Sequence, residues 1–177
     1  MNDWIANQSL WANALGVAAA IITVWALLCR DERRVLSIMA AGVGLWAAHY
    51  ALMGSLPGLV THAVAALGIG VSRACYFHSL FVRLFLAIAF SSVGVSACIV
   101  WGQGWGDLAA ALGAVVMTLS QFVLRGLWMR SGFLLGEGLM LLFALSVGSV
   151  PGVIITITNA LAGVVGMVRA QGGLSSM

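Results

Sequence analysis

Gly54-Ser55-Leu56-Pro57-Gly58 and Gly148-Ser149-Val150-Pro151-Gly152 are two copies of one phrase, and together they hold both prolines of the chain. Each is flanked by long apolar stretches. Gly-Ser makes a tight turn. A proline at a helix start costs no hydrogen bond, because its N–H would be an orphan there. The phrase therefore reads as a corner between two helices, used twice. The second copy stands 94 residues after the first. The same step pairs Gly44 with Gly138, Leu45 with Leu139, Ala66 with Ala160, Leu67 with Leu161 and Val71 with Val165. Upstream, Ala14-Leu15-Gly16 matches Ala111-Leu112-Gly113 at 97 residues, which fits a longer loop at Arg30 to Arg34 in the first copy. Duplicated helical bundles are a common way to build a transport path.

The 177 residues are 62% hydrophobic and only 7% charged, with a mean hydropathy of +1.08. A soluble domain of this composition would have no surface to show to water, so a polytopic membrane protein is expected. All eight basic residues are arginine, too few and too dispersed for a nucleic-acid face. The start of the chain carries Asp3 and no basic residue, so the first apolar run reads as a retained helix rather than a signal peptide. Cys29, Cys75 and Cys98 show no metal-ligand spacing and read as unpaired.

Runs long enough to cross a bilayer lie near 11–29, 35–53, 57–72, 82–101, 107–124, 129–147 and 151–168. Period-two alternation is missing, so the expected fold is all-α with seven transmembrane helices in one domain, 1–177. Its first three-helix repeat covers 11–73, a linker helix 82–101, and the second repeat 107–169. The two repeats would run parallel, in a 3-1-3 arrangement. Arg30, Arg33, Arg34, Arg73, Arg83, Arg125, Arg130 and Arg169 all fall on the side reached after an odd number of crossings. The positive-inside rule then puts the N-terminus outside and the C-terminus inside. Trp4, Trp11, Tyr50, Trp101 and Trp105 at one set of ends, and Trp25, Tyr76 and Trp128 at the other, read as interfacial anchors.

Seven spans split three-one-three, N-terminus outward, resemble the SWEET and PQ-loop transporter superfamily, which includes bacterial nicotinamide-riboside carriers. The run Arg30-Asp31-Glu32-Arg33-Arg34 after the first helix, then His49 and Gly54 to Gly58 ending the second, are similar to the YgjV family of bacterial inner-membrane proteins. The resemblance implies the bacterial inner membrane, with a periplasmic N-terminus and a cytoplasmic C-terminus. SWEET-type carriers bend at a proline in the first helix of each repeat. This chain has none there, so any bending falls to glycines such as Gly16 and Gly113.

Ionisable groups inside a bilayer are costly and point to function. Glu137 lies mid-span among Gly132, Gly136 and Gly138. It suits proton coupling or substrate contact, or else a protonated carboxyl bonded to a neighbouring helix. His49 and His62 lie near one end of helices two and three and could approach each other, as a relay, a gate or a structural pair. Thr156 and Asn159 share a face of helix seven. By the superfamily resemblance, Asn159 would hold a polar substrate; an interhelical hydrogen bond is the alternative. Trp46, three residues before His49, could stack on a ring or simply pack. Gln121 reads as interfacial, and Arg30 to Arg34 as a solvated turn with internal charge pairing.

The leading expectation is a carrier or facilitator for a small polar solute, working by alternating access. Its path would be lined by Glu137, Asn159, Thr156, His62, His49 and Trp46. The rival is a non-transporting receptor-like or assembly protein that keeps the fold. The repeats disagree at Val43/Glu137 and Ala65/Asn159, which favours the rival. No carboxylate pair, serine-histidine signature or cofactor loop marks an enzyme, and no metal or cofactor is expected. The expected partners are the lipid bilayer and an unknown small polar solute, with a homo-oligomer left open.

Overall fold

A computed structural model describes residues 2–54, 56–101, 104–146 and 150–174; for 2–9, 57, 150, 151 and 172–174 it describes the main chain alone. The second turn phrase thus lies largely outside the described residues, as does the Trp4 side chain. Seven helices follow in order: α1 Asn2–Leu28, α2 Glu32–Leu52, α3 Leu56–Ala74, α4 Leu80–Trp101, α5 Trp105–Val123, α6 Gly126–Ser146 and α7 Val150–Leu174. No strand occurs among the described residues. Six helices are long and apolar enough to cross a membrane; in α3 the apolar stretch Gly58–Ala74 is shorter.

The helix ends follow from local chemistry. Asp31 accepts from the Arg33 N–H and starts α2. Asp107 Oδ2 accepts from the Gly104 N–H at 3.0 Å while the Asp107 N–H returns to Gly104 O, closing the first turn of α5. Gly54, at φ +70°, and Gly126, at φ +58°, turn the chain where a side chain would be strained.

Small residues face inward and large ones face out. On α1, Ala12, Ala19 and Ala26 are fully buried, and Gly16 and Thr23 complete the same seam. Trp11, Val17, Ile21 and Trp25 project from the other faces. Lipid does not drive apolar side chains together, so membrane helices associate through close backbone approach at small residues. Gly42 shows the tightness: a Cβ there would lie 2.6 Å from Thr23 Cγ2. Gly16 abuts His49 and Trp46, and Gly113 abuts Gly136 O and Leu139. Both are contact points within unbroken helices.

The packing forms a closed cycle. α1 touches α2, α2 touches α3, α3 touches α5, α5 touches α6, α6 touches α7, and α7 returns to α1. α4 packs outside, on α3 and α5. The apolar core lies toward the arginine-rich end, where Leu27, Val35, Leu36, Ile69, Met129, Phe133 and Ala162 from five helices meet.

Trp11, Trp25, Trp101, Trp105 and Trp128 are exposed, as anchors should be. Tyr50 and Tyr76 depart from that expectation: both are partly buried and packed into side-chain clusters. Gln121 departs too; its side chain is buried beside Gly68 rather than interfacial.

Candidate functional site

The six residues expected to line one path form two groups. The first is a polar chain across three helices. Thr23 Oγ1 on α1 donates to Asn159 Oδ1 on α7 at 3.4 Å, and also to its own Ala20 O at 3.0 Å. Asn159 Nδ2 donates to Glu137 Oε1, in the middle of α6, at 3.3 Å. The Asn159 amide donates to the carboxyl, so Glu137 is the acceptor at the end of the chain. Asn159 is only 7% exposed, whereas Glu137 keeps partial accessibility. Thr156 is buried one turn before Asn159 on α7. Thr23 escaped the sequence reading. A lone threonine in an apolar helix commonly bonds its own preceding turn, and only the approach of α7 to α1 gives it a second partner.

The second group is an aromatic and imidazole cluster at the end opposite the arginines. His49 Nδ1 lies 2.6 Å from Ala12 O, and His62 Nδ1 lies 2.9 Å from Gly58 O. A carbonyl only accepts, so each ring carries its proton on Nδ1 and directs Nε2 elsewhere. Trp46 meets His49 edge-on at 5.2 Å between centroids, and Tyr50 lies 4.7 Å from His62. The histidines meet through these rings. The shared helix α2, with α1 on one flank and α3 on the other, creates the cluster. Tyr50 belongs to it and was missed because its place near a helix end suggested anchoring.

A third constellation lies at the arginine-rich end. Glu32 Oε2 accepts from Tyr76 Oη at 3.0 Å and from the Gly126 N–H at 3.1 Å. Glu32 and Gly126 head α2 and α6, which lie across the helix cycle from each other. Arg125 Nη2 donates to Tyr76 O at 3.1 Å, and its guanidinium lies 4.2 Å above the Tyr76 ring. Burial first, then the Glu32 charge and hydrogen bond, push the Tyr76 phenol above its ordinary range. Burial first, then the Arg83 charge, lower Arg125 from its ordinary range. Arg130 is 4% exposed and donates to Leu27 O, Cys29 O and Arg30 O at 3.1, 2.7 and 3.1 Å. The arginine expected to sit at the interface instead caps the carbonyl end of α1. The Arg30 to Arg34 turn matches its reading at Arg34 and Asp31, an exposed pair at 3.7 Å. Glu32 departs from it by turning inward.

Cys29, Cys75 and Cys98 are free, and no group of three metal-ligating side chains occurs among the described residues. Concavities of about 400 Å³ beside Ser91, Ser92 and Ser96, and of about 510 Å³ along Leu10 to Ile21, lie on outer faces away from the polar chain.

No curated protein and no solved structure matches the chain. The model of one family, described as bacterial inner membrane protein, matches residues 10–172. That stretch runs from the first apolar seam of α1 nearly to the end of α7, and so includes the polar chain, the imidazole cluster and the arginine-rich end. With its multiple apolar spanning helices, this chain belongs to the Imp-YgjV family of bacterial inner membrane proteins.

Proposed function

We propose that the protein is a carrier for a small polar solute, working by alternating access between two three-helix units, α1–α3 and α5–α7, with α4 as the linker. The observation that carries this reading is the Thr23–Asn159–Glu137 chain. It lies where α1 of one unit meets α6 and α7 of the other, with Glu137 in the middle of α6. A carboxyl in that position is costly unless it has work to do. The resemblance to SWEET-like carriers points the same way.

Symmetry supports the two units. α2 and α6 begin 94 residues apart and have 21 residues each, and α3 and α7 also begin 94 apart. The packing α1 on α2, α2 on α3 and α3 on α5 recurs as α5 on α6, α6 on α7 and α7 on α1. Glu32 and Gly126, separated by 94, touch each other. Two residues related by a pseudo-two-fold can touch only beside its axis. Ser72 and Gly166 are also 94 apart. Ser72 donates to Gln121 O on α5, and a Cβ on Gly166 would strike Leu27 O on α1. Each is a contact of the third helix of one unit with the first helix of the other.

In this reading the arginine-rich end is the closed side, plugged by the apolar core and tied by Glu32, Arg125 and Arg130. Glu137 sits beyond the plug and couples solute movement to a proton. The orientation is N-terminus periplasmic and C-terminus cytoplasmic, and no enzymatic step is involved. The second reading is a non-transporting receptor-like or assembly protein. It is favoured by the burial of Asn159, whose amide is used at both ends within the bundle.

Uptake of labelled sugars, amino acids and nucleosides into proteoliposomes tests the two. The carrier takes up at least one class, and Glu137→Gln, which can still accept from Asn159, loses the part driven by a pH gradient. No uptake of any compound by the wild type would sink the carrier reading.

A further inference from the structure

Thr23 has one hydroxyl proton and two acceptors within reach. Ala20 O lies at 3.0 Å on its own helix and Asn159 Oδ1 at 3.4 Å on α7. The Asn159 amide has two unlike ends, an oxygen that only accepts and a nitrogen that only donates. Thr23 is 3% exposed and Asn159 7%, so the protein itself must meet both ends.

These contacts allow two complete hydrogen-bond patterns. In the first, Thr23 donates to Asn159 Oδ1, and Asn159 Nδ2 donates to Glu137 Oε1 at 3.3 Å. In the second, the amide is turned over, so that its nitrogen and oxygen exchange places. A protonated Glu137 then donates to Asn159 Oδ1, Asn159 Nδ2 donates to Thr23 Oγ1, and the Thr23 proton goes to Ala20 O. No helix has to move between the two. An ionised Glu137 only accepts, so it admits the first pattern alone; a protonated Glu137 admits both.

Nothing else competes for the carboxyl. Among the described residues the hydrogen bond to Glu137 is the one from Asn159. The helices packed on α6 are α5 and α7, and their charged groups are Asp107 in the first turn of α5 and Arg169 toward the end of α7. Arg130, on α6 itself, is spent on carbonyls at the end of α1.

We propose that Thr23 is a positioning residue that sets the Asn159 amide, and that the amide turns over as Glu137 gains or loses its proton. The proton enters and leaves at Glu137, which keeps partial accessibility; none passes along Asn159 or Thr23. The change is felt from α6 through α7 to α1, across the seam between the two units. This deepens the carrier reading by naming what responds to the Glu137 proton.

The test needs no solute, so a failure of uptake and a failure of this inference are told apart. Full-length protein in detergent is treated with dicyclohexylcarbodiimide, which attacks protonated carboxyls, over a series of pH values. Mass spectrometry reads the adduct at Glu137, with Glu137→Gln as the blank. Thr23→Val keeps the methyl that packs beside Gly42 but loses the hydroxyl. It leaves Asn159 Oδ1 unmet when Glu137 is ionised, whereas a protonated Glu137 can meet that oxygen itself. Labelling at the alkaline end of the series should rise about fivefold, the worth of one hydrogen bond of about 1 kcal/mol. Thr23→Ser should keep the wild-type profile. In an Asn159→Leu background, Thr23→Val should add nothing. An unchanged profile in Thr23→Val overturns the proposal. An equal shift with and without Asn159 does so too, because Thr23 then acts by packing alone. A wild type with no Glu137 adduct at any pH also overturns it, because the second pattern then never forms. If Thr23→Val does not fold, Thr23→Ala gives the same readout against the same serine control.

Discussion

Arg130 lies one turn into α6 with its guanidinium at the Leu27 carbonyl near the end of α1 and at the Cys29 and Arg30 carbonyls just beyond it. Three carbonyl acceptors at and just past the end of α1 are met by one planar fork. Arg130→Met leaves all three without a donor and should destabilise the protein by about 3 kcal/mol. Arg130→Lys should recover part of that, since a compact ammonium cannot span the same set. Thermal unfolding in micelles measures both, and a methionine variant as stable as the wild type would remove Arg130 from this role. The sequence placed Arg130 at the correct end of the bundle, because charge follows the membrane side. It did not show that the side chain points inward, because one arginine near a helix start looks the same whether it faces lipid headgroups or a neighbouring helix. Gln121 and Glu32 were obscured for the same reason.

The α1 seam illustrates the element scale. Ala12, Gly16, Ala19, Thr23 and Ala26 recur at alternating spacings of four and three, and all are buried. Such a stripe lets α2 and α7 approach the α1 backbone closely. Ala19→Leu should force these helices apart at a cost of about 1–3 kcal/mol, whereas Val17→Leu, on the exposed face, should be nearly neutral. Unfolding midpoints of the pair compare them directly; equal effects would mean that the seam is not a packing surface. Helix positions were legible because apolar length is a direct demand of the bilayer. The expected runs 35–53, 82–101 and 129–147 became Glu32–Leu52, Leu80–Trp101 and Gly126–Ser146. The ends of α1 and α7 were less legible, as α1 begins at Asn2 and α7 continues to Leu174, past the strictly apolar stretch.

For the whole molecule, the distribution of charge carries a prediction. The eight arginines lie at or near the helix ends that the seven-helix order places together, which the proposed orientation makes the cytoplasmic side. A reporter active only in the cytoplasm should be active when fused after Leu174 and inactive when fused after Gly54. The opposite pattern would invert the proposed orientation, and two active fusions would imply an even number of crossings between them, at odds with the five helices α3 to α7.

The sequence by itself determined that this is an all-helical, multi-pass membrane chain and where its helices lie. Hydropathy, turn residues and arginine placement are local properties that lipid and water act on residue by residue. It also marked Glu137, Asn159, His49 and His62 as costly or titratable side chains. Only the tertiary structure decided their company. Glu137 joined Asn159 and an unsuspected Thr23, while the histidines joined Trp46 and Tyr50 in a separate cluster. The physical reason is that hydrogen bonds and ring contacts between helices depend on which small-residue faces meet. In a bilayer nearly every face of a helix is apolar, so the sequence pattern alone does not say which neighbour each one finds.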